Sequence, residues 1–145
     1  MKKLLFLLLL VIVALEITAQ EVEVIEKYIY HKISAVETDS GEPITSDVDM
    51  KDVIMFSKIE NEEFLVISVQ DIHTYFLTIV EKEEKLSENI RTRIFYGFES
   101  KGDYVATVFF FYDISKNELV PDNIWLRIEG SPNIIVFSGI IKLEK

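Results

Sequence analysis

Asp71 and His73 come nearer to catalytic chemistry than any other pair in this chain. If the backbone around them is extended, both side chains project from one face, because side chains alternate along a strand. A carboxylate beside an imidazole can orient a general base or supply two metal ligands. A further polar group would have to come from a neighbour such as Ser68 or Tyr75. We expect a polar turn between two apolar strands here, with a hydrolytic or metal-dependent enzyme as the alternative.

Other metal or nucleophile sites find little support in the sequence. His31 is the only other histidine, which excludes a site of three histidines, and the absence of cysteine excludes thiolate zinc sites and cysteine nucleophiles. Alternating carboxylates occur in residues 46–52, but Val48 and Met50 stand where a calcium loop needs ligands or a turn glycine. The sequence contains no glycine-rich phosphate loop. We therefore expect no enzyme activity, no metal and no cofactor.

The strongest functional hint is residues 104–112, which are apolar on both faces of the predicted strand. One face carries Phe109 and Phe111, and the other carries Tyr104. A half-exposed strand would alternate apolar with polar residues, so a sheet, a loop, a ligand, a partner or lipid must cover the second face. We take Phe109, Phe111, Tyr104 and Trp125 as candidate ligand-binding residues, in a barrel lumen or on an exposed patch. A central strand covered by the protein itself is the structural alternative.

Short runs of β-branched and aromatic residues, separated by turn signals every 8–15 residues, must position these side chains. This spacing predicts an all-β domain of about eight strands, either an antiparallel β-barrel or a two-sheet sandwich. The segment 22–36 fits a helix or a strand, and its Val, Ile and Tyr content favours the strand. The segment 81–89 is predicted to be a polar loop with a helical turn. The remaining strands are expected at residues 53–59, 64–69, 74–80, 91–98, 104–113, 124–128 and 134–143.

The N-terminus has the pattern of an export signal. Lys2 and Lys3 precede an unbroken apolar run of 12 residues, and a polar exit follows. A helix of that length spans only about 18 Å, short of the roughly 30 Å hydrocarbon core. The pattern predicts a signal peptide over residues 1–20, cleaved after Ala19 or Gln20, with an uncleaved anchor as the alternative. Residues 21–145 are then a single antiparallel β domain, secreted or held in the periplasm or cell envelope of a bacterium.

Charge limits the partners of this domain. The chain has 25 acidic and 15 basic side chains and a net charge of −10, which disfavours nucleic acid and favours cationic partners. We expect a non-catalytic binding module for an apolar small ligand or a protein partner. A structural protein of the envelope and a small outer-membrane barrel are the alternatives, and a dimer could also cover the doubly apolar strand.

Overall fold

The structure, a computed structural model, describes residues 21–70, 72–99 and 102–144 of the chain. The expected signal peptide and Asp71 lie outside the described residues. The described residues contain nine β-strands and no helix. The strands are β1 Val22–Glu37, β2 Val48–Ile59, β3 Glu62–Val69, β4 His73–Ser87, β5 Ile90–Glu99, β6 Val105–Asp113, β7 Asn123–Ile128, β8 Asn133–Ser138 and β9 Ile141–Leu143.

The sheet closes on itself as an antiparallel barrel. Each strand from β1 to β8 pairs with the next along the chain, and β8 returns to pair with β1. The additional strand β9 continues the register of β8 along β1, because Lys32 lies opposite Ser138 and Ile29 lies opposite Ile141. The prediction of an all-β fold with about eight antiparallel strands is confirmed, and of the two expected architectures the structure has the barrel.

Side chains fill the barrel interior. An eight-stranded barrel has room inside for little more than its own inward-facing side chains. Phe110 lies at the centre of an aromatic cluster, with ring centroids 5.7 Å from Tyr28 and 5.2 Å from Phe95. The buried core consists of Tyr28, Tyr30, Ile54, Phe56, Leu65, Ile67, Val69, Leu77, Phe95, Ala106, Val108, Phe110, Tyr112, Ile124, Leu126 and Phe137.

One glycine allows two strands to approach closely. Gly97 lies opposite Ile79 on β4, just before a register shift, and opposite Ala106 on β6. A Cβ atom at Gly97 would lie 2.5 Å from the backbone oxygen of Thr78, which is closer than real Cβ contacts. The lack of a side chain at this position is therefore a packing requirement of the β4–β5 pair.

The structure corrects the prediction for residues 81–89. β4 continues through this segment to Ser87, and the turn to β5 is confined to residues 88 and 89, with Glu88 at a φ of 50°. Every side chain from residue 80 to residue 87 is exposed. The sequence prediction was wrong because an exposed strand has no hydrophobic period, whereas backbone pairing with β5 holds this segment extended.

The other strand predictions differ from the structure at strand ends and at one interruption within a predicted strand. Residues 22–36 are confirmed as a strand, since β1 covers them. The predicted four-residue loop at 60–63 is a two-residue turn, with Glu60 at a φ of 56°. The predicted strand 134–143 is interrupted at Gly139, where the φ of 63° suits glycine.

Candidate binding face

An apolar patch lies on the outside of the barrel, across β5 to β8. Phe109 and Phe111 point outward because the alternate residues of β6 fill the core. Strand register places Phe109 opposite Ile94 of β5 and opposite Trp125 of β7, and Trp125 lies opposite Val136 of β8. We call Ile94, Phe109, Phe111, Trp125 and Val136 the outer patch.

The aromatic rings of the outer patch pack against one another. Phe109 and Phe111 are stacked with their centroids 6.0 Å apart, and the ring of Phe111 meets Trp125 edge-on at 5.2 Å. The three rings remain half-buried, while Ile94 on the same outer surface is only 4% exposed. The indole N–H of Trp125 is buried and has no hydrogen-bond partner in the part of the chain that the structure describes.

A depression of about 310 Å³ lies at one end of the outer patch. Its volume is at the lower end of the range for small-molecule sites. The lining combines apolar walls with an acidic rim and consists of Ile90, Phe111, Tyr112, Asp113, Asp122, Asn123 and Trp125.

The two carboxylates of the rim differ in their partners. Asp113 accepts hydrogen bonds from the backbone N and Oγ of Ser115, and these bonds hold the pKa of its carboxyl below the ordinary value. Lys116 lies 3.5 Å from the other carboxylate oxygen and acts in the same direction. Asp122 is exposed, and its carboxylate makes no hydrogen bond or ion pair with the described residues. Asp122 is therefore the rim charge that is available to a ligand.

Three of the four predicted ligand-binding residues come together in the outer patch, and Tyr104 does not. Tyr104 precedes β6 with the parity of the inward-facing residues, and its ring packs 6.5 Å from Tyr75 at the other end of the barrel. Its hydroxyl is buried without a hydrogen-bond partner among the described residues. Burial, with Glu99 as a second cause, raises the pKa of Tyr104 to about 12.

The polar residues singled out in the sequence are mostly engaged in structural contacts. His73 is exposed at the start of β4 and meets Tyr75 edge-on at 4.6 Å, and Asp71 lies outside the described residues. Ser68 donates a hydrogen bond of 2.8 Å to Asp52. Nδ1 of His31 lies 2.7 Å from the carbonyl oxygen of Gly139, at the interruption between β8 and β9. Among the described residues, no group of three acidic or histidine side chains could hold a metal ion.

Sequence reasoning missed an ionic cluster that covers one end of the core. Arg93 Nη1 lies 2.9 Å from Glu26 and donates a 3.1 Å hydrogen bond to the Tyr112 hydroxyl. Lys142 lies 3.7 Å from the other oxygen of Glu26. Burial alone would lower the pKa of Arg93, but Tyr112 and Glu26 raise it, so the guanidinium stays charged. Arg91, Arg93 and Phe95 alternate along β5 and therefore lie on the same, inward face of that strand. This pattern could be recognised only once the inner face of β5 was known.

Comparisons with protein-family models, with curated proteins and with solved structures find no match for this chain. No helix among the described residues has the length and apolarity needed to cross a membrane. The geometry of the outer patch and its depression therefore carries the functional argument.

Proposed function

We propose that this chain is an exported, non-catalytic binding module that holds a protein partner on its outer patch. The observation that carries the proposal is the meeting of Phe109, Phe111 and Trp125 on the outer surface, next to a depression with an acidic rim. Aromatic side chains are enriched where proteins bind one another, and they dominate the binding energy of such contacts.

The outer surface is a better candidate than the barrel interior. An apolar ligand in the lumen would have to displace buried core side chains such as Phe110 and Leu126, both 0% exposed. Removing a large core side chain costs about 3–5 kcal/mol, which a small ligand would first have to offset. On the outer patch, a partner would bury rings that are already partly exposed, with no loss of core packing.

Charge favours a partner that presents a cation beside an apolar side chain. The chain carries a net charge of −10, and the carboxylate of Asp122 is unpaired among the described residues at the rim of the depression. A Lys or Arg side chain of a partner can pair with Asp122 while a neighbouring apolar side chain packs on Phe111 and Trp125. The same arrangement admits a cation–π contact with the indole ring.

The proposal can be tested with two small probes of opposite charge. Phenylethylamine carries an aromatic ring with an ammonium group, and 3-phenylpropionate carries the same ring with a carboxylate. Trp125 is the only tryptophan of the chain and lies in the outer patch, so its fluorescence reports on this surface directly. We expect phenylethylamine to change the emission and to bind in the millimolar range, and 3-phenylpropionate to bind at least several-fold more weakly.

Matched variants locate the binding. Asp122→Asn should remove the preference for the cation, and Phe111→Ala should weaken both probes, whereas Asp47→Asn on a distant exposed loop should change neither. Equal binding of the two probes, or a preference that survives Asp122→Asn, would refute the proposed chemistry of the partner. Binding that is unaffected by Phe111→Ala would remove the outer patch from the proposal.

A further inference from the structure

Part of β4 has an edge that its neighbour β3 leaves unpaired. Pairing between β3 and β4 ends where Glu63 meets Ile79, but β4 runs on to Ser87. Along residues 81–87, β4 pairs only with β5 among the described strands, so its other edge presents free backbone N–H and C=O groups. Such an edge is a template for another strand.

Two large apolar side chains flank this edge without any packing that explains them. Val80 is 67% exposed and Leu86 is 70% exposed, and among the described large apolar residues only Ile72, in its turn, is more exposed. Between them lie five charged residues in the order Glu, Lys, Glu, Glu, Lys. If the charges only prevented association, their order along the strand would not matter. In this order, however, a second antiparallel copy of the strand can place opposite charges across from each other.

The register follows from symmetry. When two copies of a strand pair about a twofold axis perpendicular to the sheet, opposite residues must lie on the same face, so only registers that place one residue opposite its own copy are allowed. With Glu83 opposite Glu83 of the second copy, Glu81 lies opposite Lys85 and Lys82 lies opposite Glu84 of that copy. The twofold axis repeats each of these two pairs. The regular pairing ends at Glu81 and Lys85, because Val80 lies in the register shift between Ile79 and Glu81.

The neighbouring allowed registers are poorer. Centring the pair on Lys82 places Glu81 opposite Glu83 and Lys82 opposite its own copy. Centring it on Glu84 leaves Glu83 with Lys85 as the single kind of opposite-charge pair. It also places Lys82 opposite Leu86, where the lysine has no charged partner. Opposite charges across strands stabilise a pair of strands and like charges destabilise it, so the register on Glu83 is selected.

We propose that two copies of this chain pair antiparallel along residues 81–85 of β4, with Glu83 opposite Glu83 of the second copy. Existing contacts permit this pairing. Glu81 has no ion-pair partner among the described residues, and Lys85 lies 3.5 Å from Glu83, where it offsets the repulsion at the twofold axis. The surface pairs Lys82–Glu63 and Arg91–Glu84 contribute little on their own and can be shared with the second copy.

The pairing would join the two barrels through one continuous sheet surface. On that surface, the outer face of β4 is followed by β5 and then by β6, which carries Phe109 and Phe111. Five strand spacings, or about 24 Å along the sheet, then separate Phe109 of one copy from Phe109 of the other. The dimer does not depend on the outer patch binding anything, so this inference stands apart from the proposed function.

Cysteine cross-linking tests the pairing and its register, because the chain has no cysteine of its own. The full chain carrying Glu83→Cys should form an intermolecular disulfide under mild oxidation. Glu81→Cys and Lys85→Cys should not cross-link alone, because each lies about 13 Å along the strand from its own copy, beyond disulfide reach. Mixed together, those two variants should give the heterodimer.

Charge variants and light scattering provide the second measurement. The wild-type chain should have the mass of a dimer at high concentration, Lys85→Glu should shift it to the monomer, and the double variant Glu81→Lys with Lys85→Glu should restore the dimer. Three outcomes would overturn the proposal. The first is a monomer at all concentrations, and the second is the absence of a disulfide in Glu83→Cys. The third is cross-linking of Glu81→Cys alone, because the contact would then have another register. Phe111→Ala should leave the dimer intact, which separates this result from the test of the outer patch.

Discussion

The two faces of β6 have nearly the same hydrophobicity and opposite positions in the molecule. Inward, Val108 and Phe110 are 0% exposed and belong to a cluster that joins all eight strands of the barrel. Outward, Phe109 and Phe111 are half-buried and contact mainly the strand neighbours of the same surface. Side-chain chemistry is therefore a poor guide to what each residue contributes, since position decides whether a ring stabilises the fold or remains available for a partner.

The difference has a physical origin. Closure of eight strands leaves an interior that one set of side chains fills, and the alternate set must face outward. Nothing in the described part of the chain forms a second layer over β5 to β8. Folding thus accounts for the inner rings, and the outer rings are left for another explanation, which the proposed binding role supplies.

The largest effect is expected from a substitution on the inner face. Phe110→Ala removes a ring that contacts Tyr28 and Phe95 at the centre of the core, and it should lower the free energy of unfolding by about 3–5 kcal/mol. Urea denaturation followed by circular dichroism measures this loss. A loss below about 1 kcal/mol would mean that the interior is not packed as described, and the contrast between the two faces would disappear.

An intermediate effect is expected at alkaline pH, where the tyrosines on the inner face of the barrel should make the free energy of unfolding depend on pH. Burial raises the pKa of the inward tyrosines Tyr28, Tyr30 and Tyr104, to about 12 for Tyr104, from an ordinary value of 10.0. The folded state then holds phenol protons that the unfolded state releases above about pH 10. The free energy of unfolding should therefore fall as pH rises from 10 to 12. Below pH 10 these groups are protonated in both states, so they should cause no change of stability with pH.

Two controls sharpen the pH experiment. Tyr104→Phe should keep the packing and reduce the alkaline loss of stability, because one of the shifted groups is gone. Tyr96 faces outward, and a hydrogen bond to Glu83 is the main cause that raises its pKa, so Glu83→Gln should change that titration alone. If absorbance at 295 nm showed all six tyrosines of the folded protein titrating near pH 10, the buried positions of the inner rings would be contradicted.

The smallest effect is expected on the outer face. Phe111→Ala removes a ring of the same size from the same strand, yet it should cost about 1 kcal/mol or less, because the ring lies on the barrel surface and the space it leaves opens to solvent. The emission of Trp125 should shift to the red, since its edge-on neighbour at 5.2 Å is lost. A cost equal to that of Phe110→Ala would show that Phe111 is part of the core, and would leave no surface for a partner.

Much of the architecture could be predicted from the sequence, and the candidate site only in part. The period of β-branched and aromatic runs predicted about eight antiparallel strands, and these are present. Phe109, Phe111 and Trp125 were predicted together and lie together, whereas Tyr104 has the opposite parity and lies inside the barrel. The extension of β4 was missed because an exposed, charged strand lacks the periodicity on which such predictions depend.

The sequence by itself determined that this chain is rich in β-strands, acidic, free of cysteine and apolar on both faces of β6. Those properties follow from residue types and their order along the chain. Only the tertiary structure decided that the sheet closes into a barrel, which face of β6 fills it, and which edge of β4 stays unpaired. Closure and register depend on contacts between residues far apart in the chain, such as Lys32 with Ser138, and local patterns contain no information about them.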